Sequence, residues 1–128
     1  MSKPILCLDF DGVIHSYESG WKGADVIPDP PVEGALPFLY MALACFRVAI
    51  FSSRSNQPGG IKAMKKWLRK HERCHDDEAL WHAGWLNEIE FPLEKPPAKV
   101  TIDDRALTFT GEWPTMEALM AFKPWNKP

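Results

Sequence analysis

The sequence predicts an α/β domain: a doubly wound, mainly parallel sheet of about five strands with helices on both faces. Three observations carry that expectation. Ile5-Leu6-Cys7-Leu8 and Val48-Ala49-Ile50-Phe51 are short, continuous apolar runs, the pattern of strands buried on both faces. Between them lies an apolar stretch of helical length, and strand-helix-strand order demands a parallel pair with a right-handed crossover. Three apolar runs also stop at acids or hydroxyls: Asp9-Phe10-Asp11-Gly12, Ser52-Ser53 and Asp103-Asp104. The carboxyl ends of parallel strands are where such sheets carry their ligands.

A chain of 128 residues suffices for one domain, residues 1 to 128, around one core. An apolar content of 45% and a charged content of 25% are those of an ordinary globular protein. A formal charge of -2 exerts no global pull on nucleic acid or anionic membrane. No run is long enough to span a membrane, and Met1-Ser2-Lys3-Pro4 does not read as a signal peptide. Three cysteines without paired spacing argue against a disulfide framework and for a reducing, cytoplasmic setting.

After the first strand, Val13 to Pro31 has no period and holds Gly20, Gly23, Pro28, Pro30 and Pro31, so a loop or small hairpin is expected. Such long irregular stretches in compact domains are usually functional. Glu33 to Phe46 is almost wholly apolar and predicts a largely buried helix, with Pro37 confined to its first turn. Beyond the second strand, Ser55 to Gly60 is a turn. Ile61, Met64, Leu68 and His71 then recur at helical spacing, predicting an amphipathic helix over about residues 61 to 71. Six Lys or Arg and one Glu fall between Ile61 and His75. Such a run ordinarily marks a solvated face and less often a nucleic-acid contact.

Asp76 or Asp77 is suited to cap a helix carrying Leu80, Trp81, Trp85 and Leu86. Ile89-Glu90-Phe91 reads as a weak strand, Val100-Thr101-Ile102 as a firmer one, and Ala106 to Thr110 as an edge strand. The connector from Pro92 to Ala98 is short for a parallel crossover and must run nearly straight back down the sheet. Thr115 is placed to cap a last helix holding Met116, Leu119, Met120 and Phe122.

Asp9 and Asp11, two residues apart at a strand end, share a face and can point into one site. Alone, Asp-x-Asp-Gly favours a charged turn, with Asp11-Gly12 closing a hairpin. If parallel strands set Asp9, Asp11, Asp103 and Asp104 on one rim, four carboxylates converge, and a cation is needed to offset their repulsion. Hard carboxylate oxygens select Mg2+, which accepts a phosphate oxygen as a further ligand. Lys95 and the Ser52 hydroxyl are then suited to the other phosphate oxygens. Lys99 is the rival lysine, but four strand residues place it about 13 Å from Asp103, so Lys95 is preferred. Arg54, just past Ser52, suits either a substrate or a carboxylate, and Trp21 in the long loop is a candidate ligand contact. His71, Cys74, His75 and His82 match no familiar zinc spacing.

In motif order and spacing the chain resembles the haloacid dehalogenase superfamily of phosphohydrolases, over roughly residues 5 to 110. Asp9-Phe10-Asp11-Gly12, with His15 three beyond the glycine, looks like the first motif. Ser52 looks like the second, Lys95 the third and Asp103-Asp104 the acidic fourth. Asp103-Asp104-Arg105 is also similar, over a short stretch, to polynucleotide kinase 3′-phosphatase domains. The resemblance implies a Rossmann-like core with minimal or no cap, residues 13 to 31 being the place for a vestigial cap loop.

It further implies a Mg2+-dependent phosphomonoesterase. Asp9 would be the nucleophile, forming an aspartyl-phosphate, and Asp11 the general acid and base. Asp9, Asp103 and Asp104 would hold Mg2+, with Asp11 contributing its backbone carbonyl. The Gly12 amide, Ser52, Ser53 and Lys95 would bind the phosphoryl oxygens, leaving His15, Trp21 and Arg54 for the substrate. An open site implies either a polynucleotide end that covers it or a small phosphate monoester enclosed by a neighbouring subunit of a homo-oligomer. The competing expectation, of another class, is a binding or regulatory module of this fold without catalysis.

Overall fold

The computed structural model describes residues 3 to 73 and 83 to 127. In chain order its elements are β1 (Ile5–Leu8), α1 (Ala35–Ala42), β2 (Arg47–Ile50), α2 (Gly60–Arg73), a 3-10 helix (Ala83–Glu88), β3 (Val100–Ile102) and α3 (Met116–Ala121). The three strands form one parallel sheet in the order β2-β1-β3. The central place of β1 follows from its sequence, since Leu6, Cys7 and Leu8 are all buried. Residues i and i+2 share a face of a strand. Leu6 and Leu8 of β1 with Val48 and Ile50 of β2 accordingly join one apolar cluster with Leu36 and Leu39 of α1 and Met64, Trp67 and Leu68 of α2.

The strand ends are flush. Leu8 is level with Ile50 on one side and with Ile102 on the other. The ladder continues one residue further, Phe51 N–H donating to the Leu8 carbonyl and Asp9 N–H to the Ile102 carbonyl, each at 3.0 Å. The chain leaves β1 for β2 on one side and returns to β3 on the other. The gap between the carboxyl ends of β1 and β3 is thus the place where open α/β sheets collect ligands.

The sheet is smaller than the sequence suggests. The described residues build three strands, not a doubly wound sheet of about five with helices on both faces. Glu90 makes a single parallel bridge to Ala49, and Pro92 soon after has no N–H to extend a ladder. Ala106 to Thr110 forms no strand. The chain bends at the acids, where Arg105 N–H donates to Asp103 Oδ1 at 2.8 Å, and so short a connection excludes a parallel crossover.

Helix α1 opens after Gly34, whose φ of 83° suits glycine, and carries Pro37 in its first turn. Thr115 caps α3 by accepting from Ala118 N–H at 3.1 Å, yet no residue of α3 is buried. Trp85 and Leu86 are buried in the 3-10 helix. The expected cap at Asp76 or Asp77, with Leu80 and Trp81, lies outside the described residues, as do Cys74, His75 and His82. No helix among the described residues is long and apolar enough to cross a membrane.

Candidate active site

Flush strand ends bring Asp9, just past β1, beside Asp103 and Asp104, just past β3. One carboxylate oxygen of each lies within 4.8 Å of the other two. Arg105 Nε stands 3.9 Å from Asp104 Oδ2 and is largely in solvent, so it screens the group weakly. Burial pushes the Asp9 carboxyl up to about 7, reinforced by repulsion from Asp103 and Asp104 and opposed by the Phe10 N–H that Asp9 accepts. Asp104 Oδ1 is buried with no hydrogen-bond partner. Three converging acids, one held partly protonated, and an orphaned carboxylate oxygen fit a hard divalent cation such as Mg2+.

The elevated Asp9 carboxyl sets a pH dependence. Folded protein keeps a proton there that the unfolded chain releases near its ordinary value of 3.8. The associated stability is present below that value and is lost as pH rises towards about 7. A divalent cation bound by these acids would remove the penalty by replacing the proton. The increase in melting temperature on adding Mg2+ is therefore expected to be larger at about pH 8 than at about pH 5, reaching about 5 °C when Mg2+ is roughly tenfold above its dissociation constant. Melting curves with and without the ion check this, the difference cancelling titrations elsewhere in the chain.

Gly12 makes room for the cluster. Its φ is 84°, and a Cβ built there would overlap the Asp104 carboxylate. Its amide, expected to cradle phosphate, instead donates to the His15 carbonyl at 2.8 Å. Gly12→Ala combines left-handed strain with that overlap, so it should displace Asp104. Loss of most of the Mg2+-dependent melting shift, in a protein still folded by circular dichroism, is the expected readout.

Asp11 belongs to a different set of neighbours. Its carboxylate stands outside the three-acid cluster and accepts from Arg54 Nε at 2.9 and 3.2 Å and from His15 Nδ1 at 2.9 Å. Asp29 N–H donates to His15 Nε2 at 3.1 Å, so the ring proton sits on Nδ1, facing Asp11. Both His15 and Arg54 are wholly buried. Arg54 Nη1 also donates to the carbonyls of Gly23, Ala24 and Val26 at 2.8 to 3.2 Å, and its Cζ lies 4.8 Å from the centre of the Trp21 ring. Its Nη2 is buried without a partner.

These contacts fold the long loop onto the site. Ser16 N–H donates to the Pro30 carbonyl and Val32 N–H to the Ile14 carbonyl, closing the loop at its neck beside the His15–Pro31 bridge. Inside it, Asp29 accepts from the Ser19 amide at 2.7 Å and the Ser19 hydroxyl at 2.6 Å. Although burial works the other way, those two bonds hold the Asp29 carboxyl below its usual range. Trp67 of α2 fastens the same point by donating Nε1–H to the Asp29 carbonyl at 3.0 Å.

Ser52 is buried just beyond β2, accepting from Arg54 N–H at 3.1 Å and keeping its own hydroxyl proton to donate. Ser53 is exposed, and its carbonyl accepts from Gln57. Lys95 is exposed and touches none of the acids. Its charge nevertheless reaches the Cys7 thiol, which burial and then Asp9 push up while Lys95 pulls it down. Lys99 donates its backbone N–H to Ile5, at the opposite end of the sheet.

The sequence left Arg54 between a substrate and a carboxylate, and the structure pairs it with Asp11. The sequence did not single out His15 as the second partner of Asp11, nor Asp29 and Trp67 behind it. One signal was available in Gly59-Gly60. A Cβ at Gly60 would strike the Arg54 backbone carbonyl, so the glycine marks a close approach. No protein-family model, curated protein or solved structure matches the chain.

Proposed function

We propose that the chain is a Mg2+-dependent phosphomonoester hydrolase of the haloacid dehalogenase type. The observation that carries this reading is the separation of the two acids of Asp9-Phe10-Asp11-Gly12. Asp9 joins Asp103 and Asp104, whereas Asp11 is turned onto Arg54 and His15. Two carboxyls in unlike surroundings are suited to unlike roles.

Asp9 is the nucleophile: its oxygen bonds to phosphorus as the bond to the leaving alcohol breaks. Asp11, once protonated, gives that proton to the departing oxygen, then regains one from the water that hydrolyses the aspartyl-phosphate, restoring both acids and releasing phosphate. Arg54 and His15 position Asp11. The Ser52 hydroxyl, which keeps its proton to donate, is suited to a phosphate oxygen. Asp9, Asp103 and Asp104 would hold the cation, which when bound offsets the charge between a carboxylate and a phosphate dianion.

Hydrolysis of p-nitrophenyl phosphate with and without Mg2+, by the protein and its Asp9→Asn variant, tests the proposal. Equal rates for the two would favour the non-catalytic binding module. A polynucleotide end as substrate has one observation in its favour. A groove of about 560 Å3 beside α2 is lined by Lys66, Arg69, Lys70 and Arg73, with Asp25 and Ile27 on the loop side. The carbonyls flanking Asp25 sit on Arg54, one side chain from Asp11. Adding 3′- and 5′-phosphorylated oligonucleotides and sugar phosphates to the same assay separates the two substrate classes.

A further inference from the structure

The molecule exposes too much surface for its mass. A monomer of 14.6 kDa is expected to expose about 6,900 Å2, whereas this chain exposes 8542 Å2. The excess is roughly 1,600 Å2. One contributor is identifiable. Every residue from 105 to 123 is exposed, including Leu107, Phe109 and Trp113 and, at 72% and 87%, Met116 and Met120.

This stretch is an arm fixed at both ends. It leaves from Asp104 in the acid cluster. At its far end Trp125 donates Nε1–H to the Gly12 carbonyl at 2.8 Å, and Asn126 donates Nδ2–H to the Ser16 carbonyl at 3.1 Å. Between those anchors the apolar side chains stand in water, which is costly unless a partner covers them.

A receiving surface lies at the root of the arm. A groove of about 300 Å3 is lined by Val13, Val32, Phe38, Leu39 and Ile102 among others. Ile102 is the last residue of β3, whose outer edge pairs with no further strand among the described residues. Arm and groove therefore adjoin, and one two-fold axis can satisfy both at once, as an isologous interface requires. The arm carries Arg105 and Lys123 against Glu112 and Glu117, so its charges cancel and it meets a groove whose lining has Glu33 as its one charged residue without net repulsion. Covering the excess on two copies would bury about 3,200 Å2, within the roughly 2,000–5,000 Å2 of obligate homodimers.

We propose that the chain is a homodimer in which the exposed apolar side chains of residues 105 to 123 of each copy cover the groove of the other. Because the arm ends on the Gly12 and Ser16 carbonyls, the partner also braces the loop that carries Asp11 and His15.

Light scattering and sedimentation equilibrium test this. The wild-type chain is expected at twice 14.6 kDa. Met116→Glu/Met120→Glu in the arm and Phe38→Arg in the groove are expected at 14.6 kDa. All three altered side chains are exposed, so both variants should keep the far-ultraviolet circular dichroism of the parent. A wild-type chain that stays monomeric up to on the order of 100 μM overturns the proposal, since the arm then has no copy to cover it. A dimer that survives both sets of substitutions overturns it equally.

Discussion

Asp9→Asn is expected to lower turnover of p-nitrophenyl phosphate by on the order of 10^4-fold while leaving a folded and, without Mg2+, more stable protein. Both halves follow from the same surroundings. An amide cannot form the acyl phosphate, so the covalent route closes. The amide also removes a carboxyl that burial and two neighbouring acids have raised to about 7, and with it the cost of ionising there. Above about pH 7 the cation-free variant should melt at a higher temperature than the parent, and most of the Mg2+-induced rise should disappear. Rate and melting temperature moving in opposite directions distinguish a lost nucleophile from a lost fold.

Arg54→Met is expected to cost about 3–5 kcal/mol, a large fraction of the total stability of a small domain. The guanidinium is wholly buried, pairs with Asp11, and satisfies the carbonyls of Gly23, Ala24 and Val26. Methionine fills much of the volume but leaves a nearly buried carboxylate without its cation and the Ala24 and Val26 carbonyls without their donor, while the Gly23 carbonyl keeps the Val26 N–H at 3.2 Å. The double variant Asp11→Asn/Arg54→Met should recover part of the loss, because removing both charges is cheaper than stranding one. Urea denaturation of the four proteins in the cycle measures the coupling. Additive effects of the two substitutions would show that the ion pair does not hold the loop to the site.

The parts of this architecture legible in the sequence are those written in neighbouring residues. Ile5 to Leu8 announces a buried strand because four apolar residues end at an acid, and Asp103-Asp104 marks the end of another strand in the same way. Flush parallel pairing then brings the acids together. Thr115 was legible as a cap because capping is a contact three residues long. Arg54 and Asp11 lie 43 residues apart, and no local pattern announces their meeting. Similarly, Leu107 and Phe109 alternate like an edge strand, but the turn at Asp103 sends them away from the sheet. Local alternation reports a side-chain pattern and not whether a neighbouring strand is within reach.

The neck of the long loop has a consequence for remodelling the protein. Backbone bonds from Ser16 to Pro30 and from Val32 to Ile14 clamp the two stems, and Arg54 holds the distal limb through Gly23, Ala24 and Val26. Between Ser19, fixed to Asp29, and Trp21, stacked on Arg54, Gly20 is held only by the turn bond from its N–H to the Tyr17 carbonyl at 3.2 Å. A Cβ at Gly20 would meet nothing within 4 Å, so this point faces open space. Each doubling of loop length costs only about 0.6 kcal/mol in closure entropy. A foreign module spliced in at Gly20 would therefore extend outward from the loop while the clamps insulate the acids from its motion, making this position a socket for new modules on an unaltered scaffold.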